Sequence, residues 1–402
     1  MRRHFAAVGA TLTALGMTSV FVAATASAAT PATSQANAAL RYLYGQVGSN
    51  GSVASSLGAT EDTVISVADS GYDPATLKGS TGTTAYDYLS SHASTITTAG
   101  AAAKYVLAWV AAGKPSAIDA SAWLTKLNAP TSGGGFLEPN GAFHNANSTI
   151  ETANAFSQSL AVLADLAAGH ALPAHATGWL VCAQRSDGGF GYAINDASAT
   201  PPSSCGDTSS DTNDTGIVMQ ALGEAGVSTA TTSAKSYLHS AQQSDGGFSF
   251  GLTGGSDPDS DDLVIQALIA IGEDPTAAAW SKSGANPLTN MESFADPHGS
   301  GGYVFPGNTA PDAFTTAAIP QGLVLKPYGA ATHVAAGTTP PPASTAPGST
   351  SSPTGAVNAA SAVPVPSTGN GADGGLPWGL LLLALGGAGL GAGLSRRRAD
   401  CP

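Results

Sequence analysis

Charge is scarce in this chain. Of 402 residues only 10% are Asp, Glu, Lys or Arg, and 14 cations against 27 anions leave a net charge of −13. A surface so poor in cations repels phosphate backbones, which excludes nucleic acid as a partner and disfavours a substrate held mainly through a diphosphate. Aromatic residues are only 6%, few for building the wall of rings that carbocation chemistry needs. The 8 histidines are scattered, and His170 and His175 form no zincin box. Asp257, Asp259 and Asp261 open like a calcium-binding loop, but Asp262 stands where such a loop needs glycine and Leu268 where it needs a bidentate Glu. No metal and no other cofactor is expected.

What the chain has is glycine (50), proline (25) and 43% hydrophobic residues, enough to bury a core. The two ends are not part of it. Met1-Arg2-Arg3-His4 is a basic head, residues 5–24 are apolar, and Ala26-Ser27-Ala28 is a small-residue cleavage box. Residues 1–28 therefore read as a secretory signal peptide, with a faint twin-arginine flavour in Arg2-Arg3. Residues 331–375 are Ala, Pro, Ser, Thr and Gly with almost no bulky apolar side chain, the composition of a disordered stalk. Residues 376–394 are then apolar throughout and Ser395-Arg396-Arg397-Arg398 closes them, so 376–402 reads as a transmembrane helix with a basic cytoplasmic tail. Val365-Pro366-Ser367-Thr368-Gly369 before that span resembles a Gram-positive sortase sorting signal, with Val365 in place of the usual Leu. The resemblance implies a cut at Thr368–Gly369 and attachment to the cell wall; a retained single-span anchor is the alternative. Either way the body is expected on the extracellular face. Cys182 and Cys205 are the pair left in that oxidising compartment, and a disulfide closing the insertion after Tyr192 is expected, against a buried free Cys182.

The body, residues 29–330, repeats. Gly134-Gly135-Phe136, Gly188-Gly189-Phe190, Gly246-Gly247-Phe248 and Gly301-Gly302-Tyr303 place an aromatic after two glycines at intervals of 54, 58 and 55 residues. Asp187 and Asp245 favour a turn there, and glycine reaches positive φ without a Cβ clash. Between these steps lie nearly uncharged helical stretches at 63–70, 101–112, 153–168, 215–225, 262–271 and 314–325, five of them ending at Gly71, Gly113, Gly169, Gly226 and Gly272. A helix apolar nearly all round is buried. The other helix of each pair is amphipathic. Six hairpins of this kind predict an all-α double ring, an α6/α6 toroid.

At these residues the chain resembles the prenyltransferase and squalene-cyclase repeat superfamily, whose members share that toroid. The segments Gln184 to Phe190 and Gln242 to Phe248 match its repeat, in which a Gln braces the following helix end. The usual terminal Trp is here Phe190, Phe248 or Tyr303.

Asp257-Pro258-Asp259-Ser260-Asp261-Asp262 stands directly before the helical stretch from Leu263. Class II terpene cyclases carry an Asp-x-Asp-Asp box at the start of an inner helix. The resemblance of Asp259-Ser260-Asp261-Asp262 to it implies that Asp261, held protonated by its neighbours Asp259 and Asp262, is a general acid. The same acids also read as helix caps, a habit repeated at Glu61-Asp62 and at Asp211 to Asp214. A third reading is ligand or cation contact.

Other branches of the superfamily fit less well. Protein prenyltransferases need an Asp, Cys and His zinc site, and no matched His follows Cys182; thioester proteins need Cys-Gly-Glu-Gln, where this chain has Cys205-Gly206-Asp207. The exported, non-catalytic cobalamin carriers of the transcobalamin type resemble the body best. The known cyclases join two toroids, whereas this chain has one. The favoured expectation is therefore a surface-anchored toroid that binds a small molecule, glycan or protein without turnover, on an acidic rim of Asp62, Asp211, Asp214, Asp259, Asp261 and Asp262. The alternative is a class II terpenoid-cyclase-like enzyme using Asp261.

Overall fold

The computed structural model describes residues 30–144, 153–206, 208–250, 254–330 and 336–342. The expected signal peptide, most of the stalk, the Thr368–Gly369 bond and the apolar span at 376–394 lie outside them. Among the described residues no helix is long and apolar enough to cross a membrane.

The described residues form twelve α-helices in order: α1 (Thr33–Gln46), α2 (Leu57–Asp69), α3 (Ala85–His92), α4 (Ala99–Ala111), α5 (Ser121–Leu127), α6 (Ala155–Ala168), α7 (Ala176–Cys182), α8 (Thr212–Glu224), α9 (Ser228–Ala241), α10 (Pro258–Ala270), α11 (Pro287–Glu292) and α12 (Ala313–Leu323). Among the described residues five single-turn 3-10 helices and a set of isolated β-bridges accompany them, with no strand. The even-numbered helices pack side by side in the order α2, α4, α6, α8, α10, α12, and α12 returns to α2, so they close an inner ring. The odd-numbered helices pack outside them, and α1 lies against α12, joining the first and last of the described helices. Burial follows the sequence. Helix α2 hides all but one of its residues, whereas α1 buries only Ala36, Ala39, Leu40 and Leu43, one stripe at helical spacing. The ring is parallel: a Cβ on Gly216 would meet Leu263 and one on Gly223 would meet Ala270, each at 3.0 Å. Glycine here lets α8 and α10 approach backbone to backbone.

Each inner helix begins on a polar cap. Ser56, Thr98, Asn154, Asp211, Asp257 and Asp312 sit in extended backbone and accept the N–H three residues on. Gly71, Gly113, Gly169, Gly226 and Gly272, just past five of the helix ends, all have positive φ, between 72° and 85°. Five of the six inner helices start earlier than the apolar pattern suggests, and α6 starts later, at Ala155. Asp259, Asp261 and Asp262 lie inside α10, not ahead of it, because Asp257 caps and Pro258 fills the first helical position.

The glycine turn also differs from the expectation at one copy. The turn before α6 is Gly141-Ala142-Phe143, not Gly134-Gly135-Phe136. The N–H of Phe143 donates to Gln158 on α6 at 2.8 Å, whereas that of Phe136 goes to the Lys126 carbonyl. A further copy precedes α2, where Val53 donates to Thr60 at 2.9 Å. Only one glycine is common to all five turns, the one at positive φ: Gly51, Gly141, Gly188, Gly246 and Gly301. A Cβ there would strike the backbone leading into or within an outer helix, at 2.0 Å from Ala174 O for Gly141 and 2.3 Å from Ala38 O for Gly301. Gln184 and Gln242 pin this contact. Gln184 donates to the Gly188 and Ala230 carbonyls, and Gln242 to those of Gly246 and Trp280, at 2.7–2.8 Å.

Cys182 and Cys205 form a disulfide across a separation of 23 residues. Residues 336–342, in the segment read as stalk, lie against the body. Asp73 donates its N–H to the Thr338 carbonyl, Gly337 donates to the Asp73 carboxylate, and Arg41 donates to the Pro341 carbonyl. A proline-rich segment cannot satisfy its own backbone, and these groups do it instead.

Candidate active site

The acids read as an exposed rim are buried, and the rim expectation is corrected accordingly. Asp62, Asp261 and Asp262 are at most 1% exposed, Asp214 is 4% exposed, and Asp211 and Asp259 remain below 10%. Asp211 caps α8 and the others lie in the first two turns of α2, α8 and α10, near the same end of the inner ring. Among the described residues Lys104 is the one buried Lys or Arg. One cation cannot balance this many carboxylates, and desolvation opposes each further charge.

Their partners separate them by role. Asp211 caps α8, accepting from the Asp214 N–H at 2.7 Å, and burial raises its pKa to about 6. Asp214 is pushed well above the usual carboxylate range, by burial first and by the Asp211 charge next. Asp62 accepts from Lys104 Nζ at 3.0 Å and from the Tyr328 hydroxyl at 2.9 Å. Asp262 accepts from the Gly322 N–H at 2.8 Å and from Gln266 Nε2 at 2.6 Å. Burial nonetheless holds Asp262 well above its ordinary pKa.

Asp259 and Asp261 differ in that each keeps one buried oxygen without a partner, Oδ1 of Asp259 and Oδ2 of Asp261. Both are raised well above the ordinary range by burial. Asp257, Asp262, Asp312 and Asp62 add to this at Asp259; at Asp261 the Phe248 bond opposes it, and Asp257, Asp245 and Asp262 add to it.

Asp261 Oδ1 accepts the Phe248 N–H at 2.7 Å. Thr60, Thr215 and Thr316 fill the same post for Val53, Phe190 and Tyr303, at 2.9 Å each, and Gln158 fills it for Phe143. In each case the residue lies four after the helix cap. Only α10 braces its turn with an acid. The threonines send their hydroxyl proton to the cap carbonyl, as Thr215 does to Asp211 at 2.5 Å. Asp261 instead has a second oxygen to spare.

Sequence reasoning passed over Lys104 and Tyr328 and took Glu61 only as a helix-capping acid. Glu61 is also fully buried beside Lys104 and Asp62, with Oε1 unpartnered and its pKa pushed well up by burial. A lysine inside the apolar run Ala101 to Val110 was the available signal for Lys104. Nothing local marks Tyr328, whose partner is 266 residues away. Among the described residues no group of three or more His, Cys, Asp or Glu is arranged to hold a metal ion.

No family model matches the chain, and no curated protein matches it in sequence. Solved structures do. A variant of the type II terpene cyclase MstE from Scytonema, in complex with geranylgeranyl dihydroxybenzoate as substrate, aligns at a TM-score of 0.51 and 12% identity, covering 73% of this chain and 97% of that one. A protein from Actinoplanes aligns at 0.47 and 12%, over 73% and 99%. The ent-copalyl diphosphate synthase from Streptomyces platensis aligns at 0.42 and 14%, over 67% of this chain and 50% of that one.

The expectation of a toroid that binds without turnover is corrected here, because the solved structure it resembles is a cyclase caught with its substrate. The objection that such cyclases join two toroids falls with it, since one toroid of this chain spans 97% of that enzyme. The resemblance found is to a type II terpene cyclase, and nothing found supports the cobalamin-carrier branch favoured on sequence. At this identity the likeness establishes the architecture: the chain has the α/α toroid fold that type II terpene cyclases share.

Proposed function

We propose that the chain is an acid-initiated cyclase of the class II terpenoid type, with Asp261 as the general acid and an uncharged isoprenoid as substrate. One observation carries the reading. Asp261 is the only brace of its kind that is a carboxyl group, and its second oxygen is buried and unpartnered. Bracing alone is met by threonine at three sister turns.

A neutral carboxyl suits this geometry. Its carbonyl-type oxygen, Oδ1, accepts the Phe248 N–H, and its hydroxyl, on Oδ2, is left to donate. Burial first, with Asp257, Asp245 and Asp262 adding to it, raises the Asp261 pKa well above the ordinary carboxylate range and so favours the protonated form. In the reaction the Oδ2–H bond breaks and a C–H bond forms at a terminal trisubstituted alkene, leaving a tertiary cation. The next double bond supplies its electron pair to close the ring. Loss of a proton from carbon ends the sequence, so the net change is an isomerisation, and solvent restores the acid. The net charge of −13 argues for a neutral substrate over a diphosphate. From the basic-apolar head and the apolar span with its arginine tail, we also propose that the protein works on the extracellular face, held to membrane or wall.

The test is Asp261→Asn, which keeps an oxygen for Phe248 and removes the acid. Cyclic product from a C20 or C30 polyprenoid should vanish while thermal stability stays near that of the parent. Unchanged product formation by this variant would overturn the reading.

A further inference from the structure

Helix α12 ends at Leu323, but the chain does not leave the ring there. Leu325, with φ +57°, turns it back, a left-handed conformation unfavourable for a side chain with a Cβ and so in need of support elsewhere. Tyr328 then touches helices on opposite sides of the ring. Its N–H donates to Gln220 Oε1 on α8 at 3.1 Å, and its hydroxyl donates to Asp62 on α2, opposite α8 in the ring order, at 2.9 Å. The Lys104 ammonium of α4 lies 6.0 Å from its ring centroid. A Cβ on the next residue, Gly329, would meet Ala167 at 3.2 Å and Leu107 at 3.5 Å, side chains of α6 and α4.

A side chain that reaches opposite members of a closed ring lies on its axis. Gln220, which accepts the Tyr328 N–H, and Leu107 and Leu163, which lie beside Gly329, are each the ninth residue of their helices, whereas Asp62 is the sixth of its own. The segment therefore comes in from the C-terminal end of the inner helices. Its tyrosine points along the axis toward the acids, about 4–5 Å down at 1.5 Å per residue. Tyr328 is 3% exposed, yet the segment carrying it belongs to no helix of either ring.

We propose that the axis of the toroid is a binding site for a phenolic ring, and that residues 325–330 are a tethered plug whose Tyr328 holds that site in the present state. The site has the parts a phenol asks for: a carboxylate acceptor fixed by a lysine, a cation near the ring face, and apolar helix walls. An aromatic alcohol arriving from solution would take the same contacts once the plug swings out. The inference stands apart from the acid-initiated reading, because neither readout below involves a product.

The first readout is native-state hydrogen exchange on the whole chain in low urea. A plug opens without the rings, so the Tyr328 amide should exchange by a urea-insensitive local opening, at least about tenfold faster than inner-helix amides such as Ile265. Exchange of both only through global unfolding would overturn the plug. The second is Tyr328→Gly with p-cresol, which restores the missing side chain from solution. The melting temperature should rise steeply with p-cresol and little with toluene, which lacks the hydroxyl. Should the variant not fold in buffer, it is refolded with each compound present. Folding supported by p-cresol but not toluene carries the same meaning, and equal effects of the two, or none, overturn the phenol site.

Discussion

The carboxyl oxygen Oδ1 of Asp261 accepts the backbone N–H of Phe248 at 2.7 Å, the bond that Thr215 makes to Phe190 and Thr316 to Tyr303 at 2.9 Å. The N–H is buried, so losing its acceptor costs about 1–3 kcal/mol. Asp261→Ala should therefore lower stability by that amount in a urea titration. Asp261→Thr, which copies the sister turns, should keep most of it. Equal losses for the two would show that the brace contributes nothing at this turn.

The two glycines of a Gly-Gly-aromatic step are required for different reasons, and Gly247 shows the second. Its φ is not in the left-handed region, but a Cβ would lie 2.1 Å from Asn290 Oδ1 and 2.8 Å from Ser256 Cβ. Gly247→Ala must push Asn290 off the Asp245 carbonyl to which it donates at 3.1 Å, and should cost roughly 1–3 kcal/mol. Gly45→Ala, in α1 with nothing within 4 Å, should instead stabilise by about 0.5–1 kcal/mol. Thermal denaturation of the two variants side by side checks the contrast in sign.

Asp165 near the end of α6 makes stability depend on pH. Burial raises its pKa to about 6, against the opposing pull of the Asn128 amide at 2.7 Å and His170 at 3.4 Å. The folded state holds this proton more tightly than the unfolded chain. The stabilising contribution is complete below the ordinary carboxylate pKa and is lost as pH rises through about 6. Asp165→Asn can still accept from Asn128, so at pH 8 it should be more stable than the parent by on the order of 2 kcal/mol, with no gain at pH 4. A gain of the same size at both pH values would contradict the assignment.

The Cys182–Cys205 bridge ties α7 to the insertion, where Cys205 also donates its N–H to the Cys182 carbonyl at 2.7 Å. Opening it frees a loop spanning 23 residues of sequence, and the double Cys→Ser variant should lose about 2–4 kcal/mol. Limited proteolysis should then cut first between Ile194 and Cys205. Unchanged stability and cleavage would mean that the hydrogen bonds alone hold the insertion.

Much of this fold is legible in the sequence. Uncharged helices ending at Gly71, Gly113, Gly169, Gly226 and Gly272 announce the inner ring, because both burial and the left-handed cap are local requirements. The turn before α6 is harder to read. Gly141-Ala142-Phe143 tolerates alanine in the middle, whereas Gly134-Gly135-Phe136 matches the pattern without making the brace. The acids were found, but their burial was not. Whether Asp262 faces water depends on Gly322 and Gln266, and Gly322 is 60 residues away. Tyr328 and its partner Asp62 are further apart still, and only ring closure brings them together.

The most direct test of the central claim is incubation of the whole chain with uncharged C20 and C30 polyprenoids in D2O. Protonation by Asp261 predicts a cyclic isomer carrying one solvent deuterium on carbon, formed by the parent and by neither Asp261→Asn nor Asp261→Thr. Activity should fall as pH rises far enough to ionise the acid, since only its neutral form donates. A cyclic product without solvent deuterium, or one made equally well by Asp261→Thr, would contradict the account.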